Sequence, residues 1–98
     1  MRKVTQQIKK AFEQGTSLKI GNTRTNGTSV FLHGNEIVKR DPSGLVMATL
    51  AGWNTPTTRE RVNGITGLGI HQSNFVPMLN NQEIDSFDWI SVTEEVGV

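Results

Sequence analysis

The sequence predicts an α+β domain: an antiparallel β-meander sheet of about five to seven strands, an N-terminal amphipathic helix and a short second helix. Three observations predict it. Val4, Ile8, Ala11 and Phe12 recur at helical spacing. Asn26-Gly27, Gly34-Asn35 and Asp41-Pro42-Ser43-Gly44 then divide the next stretch into short runs at hairpin distance. A hydroxyl-rich segment at Thr55-Pro56 opens a second helical pattern.

The first helix has its apolar residues at i, i+4, i+7 and i+8, one stripe of a surface helix. Gly15 supplies its stop, because glycine tolerates the left-handed conformation past a helix end. Lys9, Lys10 and the glutamines fall on the other side. Four strands follow, over about 17–25, 28–33, 36–40 and 45–51, with hairpins at Asn26-Gly27 and Gly34-Asn35 and a turn at Asp41–Gly44. Leu18/Ile20 and Val30/Leu32 alternate as a half-buried sheet requires. Leu45–Leu50 is almost continuously apolar and is expected to be central or covered on both faces.

Helix 2 begins near Thr55-Pro56 and ends at Gly64. Thr55 caps with Pro56 in the first turn, or Thr57 caps and Glu60 closes a capping box. Trp53, Val62 and Ile65 are expected to dock it, since a helix of that length is unstable alone. Residues 67–72 and 74–79 read as two strands around Ser73-Asn74, with Pro77 marking the second as an edge. Asn80-Asn81-Gln82 is a turn, Phe87–Val92 a final strand, and Thr93–Val98 a frayed tail. Residues 31–37 and 78–84 share three of seven positions at an offset of 47, which shared hairpin-tip composition explains without a repeat.

The 98 residues suit one domain, 1–98, with a modest core. With no cysteine, disulfides and thiolate metal sites are excluded. That fits a reducing cytoplasm. No apolar run approaches the ~20 residues of a membrane span, and the polar N-terminus lacks a signal peptide's apolar region. The net charge of +1 hides a split. Residues 1–50 hold eight Lys/Arg and three acids, residues 51–98 two Arg and six acids. If the halves interleave in space, these charges average out.

Enzymatic machinery is not expected. His33 and His71 stand in no metal-ligand spacing. Asp85/Asp88 and Glu94/Glu95 read as solvated carboxylates, although Asp88 adjoins Trp89. Seventeen Ser and Thr include none in a nucleophile elbow. Gly64–Gly69 lacks the Lys-Ser/Thr of a phosphate cradle. No cofactor is implied.

Binding remains. Trp53, Thr57, Thr58, Arg59 and Arg61 form the leading contact set. Helix-start N–H groups beside Arg59 suit an anion, and an exposed Trp53 or Trp89 suits a partner pocket. The competing set is Lys3, Lys9, Lys10, Arg24, Lys39 and Arg40, a basic face for DNA or RNA that lacks a run of aromatics. Helix 2 does not read bases, because at about 100° per residue Arg59 and Arg61 lie about 200° apart.

Leu32-His33-Gly34-Asn35 followed by residues 50–63 resembles a group of small bacteriophage proteins. These carry Trp-x-Thr-x-Thr-Thr-Arg-x-Arg-Leu-Asn after a β-rich half. Val62 stands where the group usually has Leu, and the resemblance extends over about residues 4–90. It implies a phage or prophage origin and action in the host cytoplasm, and no activity. The expected function is a non-enzymatic accessory protein that binds and masks a host protein. Nucleic-acid binding is the alternative, no membrane contact is expected, and the sequence does not decide against a homo-oligomer.

Overall fold

A computed structural model describes residues 1–92. The expected frayed tail and the Glu94/Glu95 pair lie outside the described residues. The elements in chain order are α1 (Lys3–Gln14), β1 (Leu18–Ile20), β2 (Thr23–Thr25), β3 (Ser29–Leu32), β4 (Asn35–Arg40), β5 (Val46–Ala48), α2 (Pro56–Thr66), β6 (His71–Ser73), β7 (Val76–Leu79), β8 (Gln82–Glu83) and β9 (Ile90–Ser91). The fold is α+β. Strands β1-β2-β3-β4-β5-β9 form one six-stranded antiparallel sheet, and β6-β7-β8 form a second of three.

Helix α1 ends as expected. Gly15 is left-handed, and the N–H groups of Gly15 and Thr16 return to Phe12 and Ala11 at 3.2 and 2.9 Å. Ile8 and Phe12 enter the core, each contributing about 1.5–3 kcal/mol of burial. That docks a helix too short to persist alone.

One expected strand, 17–25, is two. Gly21 at φ +59 turns the chain between Ile20 and Thr23, which pair directly. The next two hairpins also differ in detail. At 26–29 only Gly27 is left-handed, while the Asn26 side chain accepts from the N–H groups of Thr28 and Ser29. At β3/β4 the turn residues are His33 and Gly34, at φ +50 and +80, one position earlier than Gly34-Asn35. The Leu32↔Asn35 pairing fixes that register.

The β3/β4 ladder then slips by one residue at Ile37. A bulge leaves two residues facing one and turns the extra side chain. Ile37 and Val38, neighbours in sequence, are consequently both buried. Val30, Leu32, Val38, Ala48 and Leu50 complete the sheet's share of the core, with Ile8, Phe12, Val62 and Ile65 from the helices. Both helices therefore lie on this inner face. Strand β5 is an interior strand, paired with β4 on one side and β9 on the other, and Ala48, Thr49 and Leu50 are buried, whereas Leu45 before it is exposed.

Helix α2 runs past its expected stop. Thr55 is the N-cap, accepting from the Thr58 N–H at 3.2 Å, and Pro56 opens the first turn. The left-handed C-cap is Gly67, not Gly64. Gly64 lies within the helix where α1 crosses it. A Cβ built there would sit 2.5 Å from the Thr5 methyl. Its role is close approach rather than termination.

Strand β7 is the middle of the small sheet, not an edge. Pro77 is tolerated because the β8 ladder stops beside it. Its carbonyl accepts from the Ile84 N–H at 3.0 Å, so only the reciprocal bond is lacking. The β6/β7 turn is Asn74-Phe75, again one position from the expected site, with both residues left-handed. Asn80-Asn81 turns as expected and occupies the same place in its hairpin as His33-Gly34. The echo between the two segments is thus shared turn geometry. The two charge halves interleave: α2 packs beside α1, and β9 joins the sheet at β5.

Candidate functional site

The segment Trp53–Asn63 divides by side chain into parts that build and a part left free. Arg61 belongs to the first. It is 5% exposed. Its Nε donates to Thr23 Oγ1 at 3.1 Å and its Nη1 to Thr5 Oγ1 at 3.2 Å and to Glu60 Oε1. Strand β2 admits this guanidinium because its inward residues, Thr23 and Thr25, are threonines. Burial pushes the Glu60 carboxyl up, but bonds from Thr5, the Arg2 N–H and Arg61 outweigh that and hold it below its ordinary value. Among the described residues, no buried side-chain polar atom lacks a partner.

Thr58 is also buried, with its hydroxyl 2.9 Å from that of Thr55. Arg61 is therefore packed between elements rather than open to a partner, whereas Thr58, although buried, lines the cleft at the start of α2 beside Trp53. Asn63 exchanges two bonds with the Ile70 backbone, at 2.8 and 2.9 Å, and fixes the chain leaving α2. Arg59 points the opposite way from Arg61, half-exposed, and donates to Asn54 Oδ1 and Gln72 Oε1.

Trp53 is the residue left over. It is 57% exposed, beside a cleft of about 420 Å³ at the start of α2. Leu32, Ile37 and Leu50 make an apolar floor, and the β4 bulge is what turns Ile37 into it. Asn35, Thr55 and Thr57 supply polar atoms around it.

Two further segments carrying exposed aromatics are tied to the same loop. Asn54 donates to Gln72 Oε1 at 3.2 Å and to the Phe75 carbonyl at 3.3 Å, which ties the β6/β7 tip to residue 54. Phe75, at that tip, is 87% exposed with φ +65, a conformation bulky residues seldom adopt. On the other side, the Gly52 N–H donates to the Ser86 carbonyl at 2.9 Å. Phe87 lies so close to Gly52 that a Cβ there would meet its ring at 2.5 Å, yet the ring is 72% exposed. Residues 52, 53 and 54 thus carry or hold three exposed aromatics from three segments. Sequence reading found Trp53 and missed Phe75 and Phe87, both assigned to strands. The Asn-Phe pair at a hairpin tip was the available signal for the first, and nothing local marks the second.

The basic set does not form one face. Lys39 and Arg40 are successive residues on β4 and so point to opposite sides. Arg40 turns inward, lies 4.1 Å over the Phe12 ring, and donates to the Phe12 carbonyl at 3.1 Å and the Gly27 carbonyl at 2.9 Å. It serves the C-terminal end of α1. Lys3, Lys9 and Lys10 ride on α1, on the inner side, whereas Arg24 and Lys39 project from the outer face. This corrects the expectation of a single basic surface.

Among the described residues, no group of three or more His, Asp or Glu is placed to hold a metal ion. No helix among them is long and apolar enough to cross a membrane. No curated protein and no solved structure matches the chain. The pattern that defines the Kyanoviridae Gp96 protein family matches residues 1–96, and the chain belongs to that family of small bacteriophage proteins.

Proposed function

We propose that this protein is a non-enzymatic phage accessory factor that docks on a host protein in the host cytoplasm and masks its working surface. The observation that carries this reading is Trp53, 57% exposed beside an apolar-floored cleft, with the exposed Phe75 and Phe87 on two further segments that are tied to its neighbours Asn54 and Gly52. Large aromatic side chains are rarely left this exposed in a group unless a partner covers them. They are also the side chains that dominate binding energy when they enter a partner's pockets. The exposed Asp85 and Asp88 flank Phe87, so a partner surface with apolar pockets and a basic margin fits best. Arg59 acts from behind, through Asn54, by holding the loop in place.

Affinity capture from host lysate tests this, comparing the wild-type chain with Trp53→Ala/Phe75→Ala/Phe87→Ala. The expected result is one stoichiometric protein partner, retained at least about ten-fold less by the triple variant. The variant should keep its melting temperature, because it loses exposed side chains. Equal retention of that partner by the variant counts against the proposal.

A further inference from the structure

We propose that the outer face of the six-stranded sheet binds single-stranded nucleic acid. This face shares no residue with the exposed aromatics Trp53, Phe75 and Phe87. Both helices lie on the other side, so it is defined by the alternate residues of each strand. Across β1, β2 and β3 these are Lys19, Arg24 and Phe31, in direct register. Across β4, β5 and β9 they are Lys39, Met47 and Ser91, with Trp89 two residues before Ser91 on the same face.

Two features point to an anion carrying flat rings. First, the charges are unbalanced. Lys19 and Arg24 stand directly opposite each other, a like-charge pair that destabilises an antiparallel ladder unless something neutralises it. The one carboxylate in this register, Glu36, accepts from the Ser29 hydroxyl at 2.6 Å and leaves three cations against one anion. Among the described residues, none of Lys19, Arg24 and Lys39 makes an ion pair. Second, two of these cations rest on rings. Arg24 lies 3.9 Å from the Phe31 centroid, and Lys39 lies 3.9 Å from that of Trp89.

A cation held by a ring at an exposed site is held weakly, whereas a base stacked on an aromatic gains more. Phosphates can therefore draw Arg24 and Lys39 aside and leave Phe31 and Trp89 to the bases. Phe31 and Trp89 are three strands apart, roughly 14 Å at sheet spacing, so one strand of nucleic acid crosses both. A broad sheet does not enter a duplex groove, and paired bases do not offer their faces. Single strands do. An acidic protein would satisfy the cations and leave the rings without a role.

The test is fluorescence anisotropy of a labelled single-stranded oligonucleotide. At about 0.7 per phosphate for single strands, three cations give a slope of log affinity against log salt near −2. Binding should weaken on the order of twenty-fold between about 50 and 200 mM salt. Arg24→Glu/Lys39→Glu should lower affinity at least ten-fold, while Lys3→Glu/Lys10→Glu, on α1, should change it less than about three-fold. In a Trp53→Phe variant the oligonucleotide should quench Trp89, a readout that requires no charge reversal. Four results would overturn the proposal: no binding at about 50 mM salt, equal loss in both charge-reversal pairs, polyglutamate competing as well as the oligonucleotide, or unquenched Trp89 in the bound state.

Discussion

Arg61→Ala is expected to destabilise the protein by about 2–4 kcal/mol, at the lower end of the cost of breaking a buried ion pair, because Glu60 keeps partial access to water. Against the ~5–15 kcal/mol that holds a small domain together, this is enough to leave part of the population unfolded. The reason is the arrangement around the guanidinium. Removing it takes a partner from Thr23, from Thr5 and from the Glu60 carboxylate at once, and α1, α2 and β2 all meet there. Urea unfolding measures the loss. Arg59→Ala is the control on the same helix. It removes bonds at the surface and should cost about 1 kcal/mol. Pairing Arg61→Met with Glu60→Gln should recover part of the loss, because the stranded charge is then gone. Equal stabilities for the Arg59 and Arg61 variants would show that Arg61 does not join the three elements.

Gly64→Ala is expected to destabilise by about 1–2 kcal/mol, opposite in sign to its effect in an ordinary helix. In an exposed helix interior the change gains about 1 kcal/mol from propensity. Here the new methyl meets Thr5 Cγ2 at 2.5 Å. Thr5 cannot rotate away freely, since its hydroxyl donates to Glu60 at 2.6 Å and accepts from Arg61 at 3.2 Å. Overpacking of this kind costs about 1–3 kcal/mol and outweighs the propensity gain. A urea midpoint higher than wild type would mean that the two helices do not approach at this point.

The fold class was legible in the sequence because its signals are local. The stripe of α1, the Gly15 stop, the Thr55-Pro56 helix start and the spacing of turns each follow from a few neighbouring residues. What failed depends on distant partners. Gly64 looks like a terminator until α1 lies against it. Pro77 looks like an edge marker until β8 ends beside it. The hairpin turns moved by one because His33 and Phe75 accept left-handed conformations that a glycine-centred reading assigns elsewhere.

The site was half legible for the same reason. Trp53 stood out as a tryptophan in a loop. Arg61 looked equally available, and only Thr23 of β2 and Thr5 of α1 explain why it is buried. Phe75 and Phe87 fall within the expected strands 74–79 and 87–92, a placement that does not mark them as surface residues. Their exposure follows from the bonds that Asn54 and Gly52 make to other segments. The aromatics missing from the basic set were also present, as Phe31 and Trp89. They become visible only when strand register shows which side chains share a face.

Acrylamide quenching of the Trp89→Phe variant tests the central claim most directly, because Trp53 is then the single indole. In the free protein, red-shifted emission open to quencher is expected, turning blue-shifted and protected when the captured host protein is added. Emission already shielded in the free protein, or unchanged in the complex, would contradict the assignment of Trp53 to the docking surface.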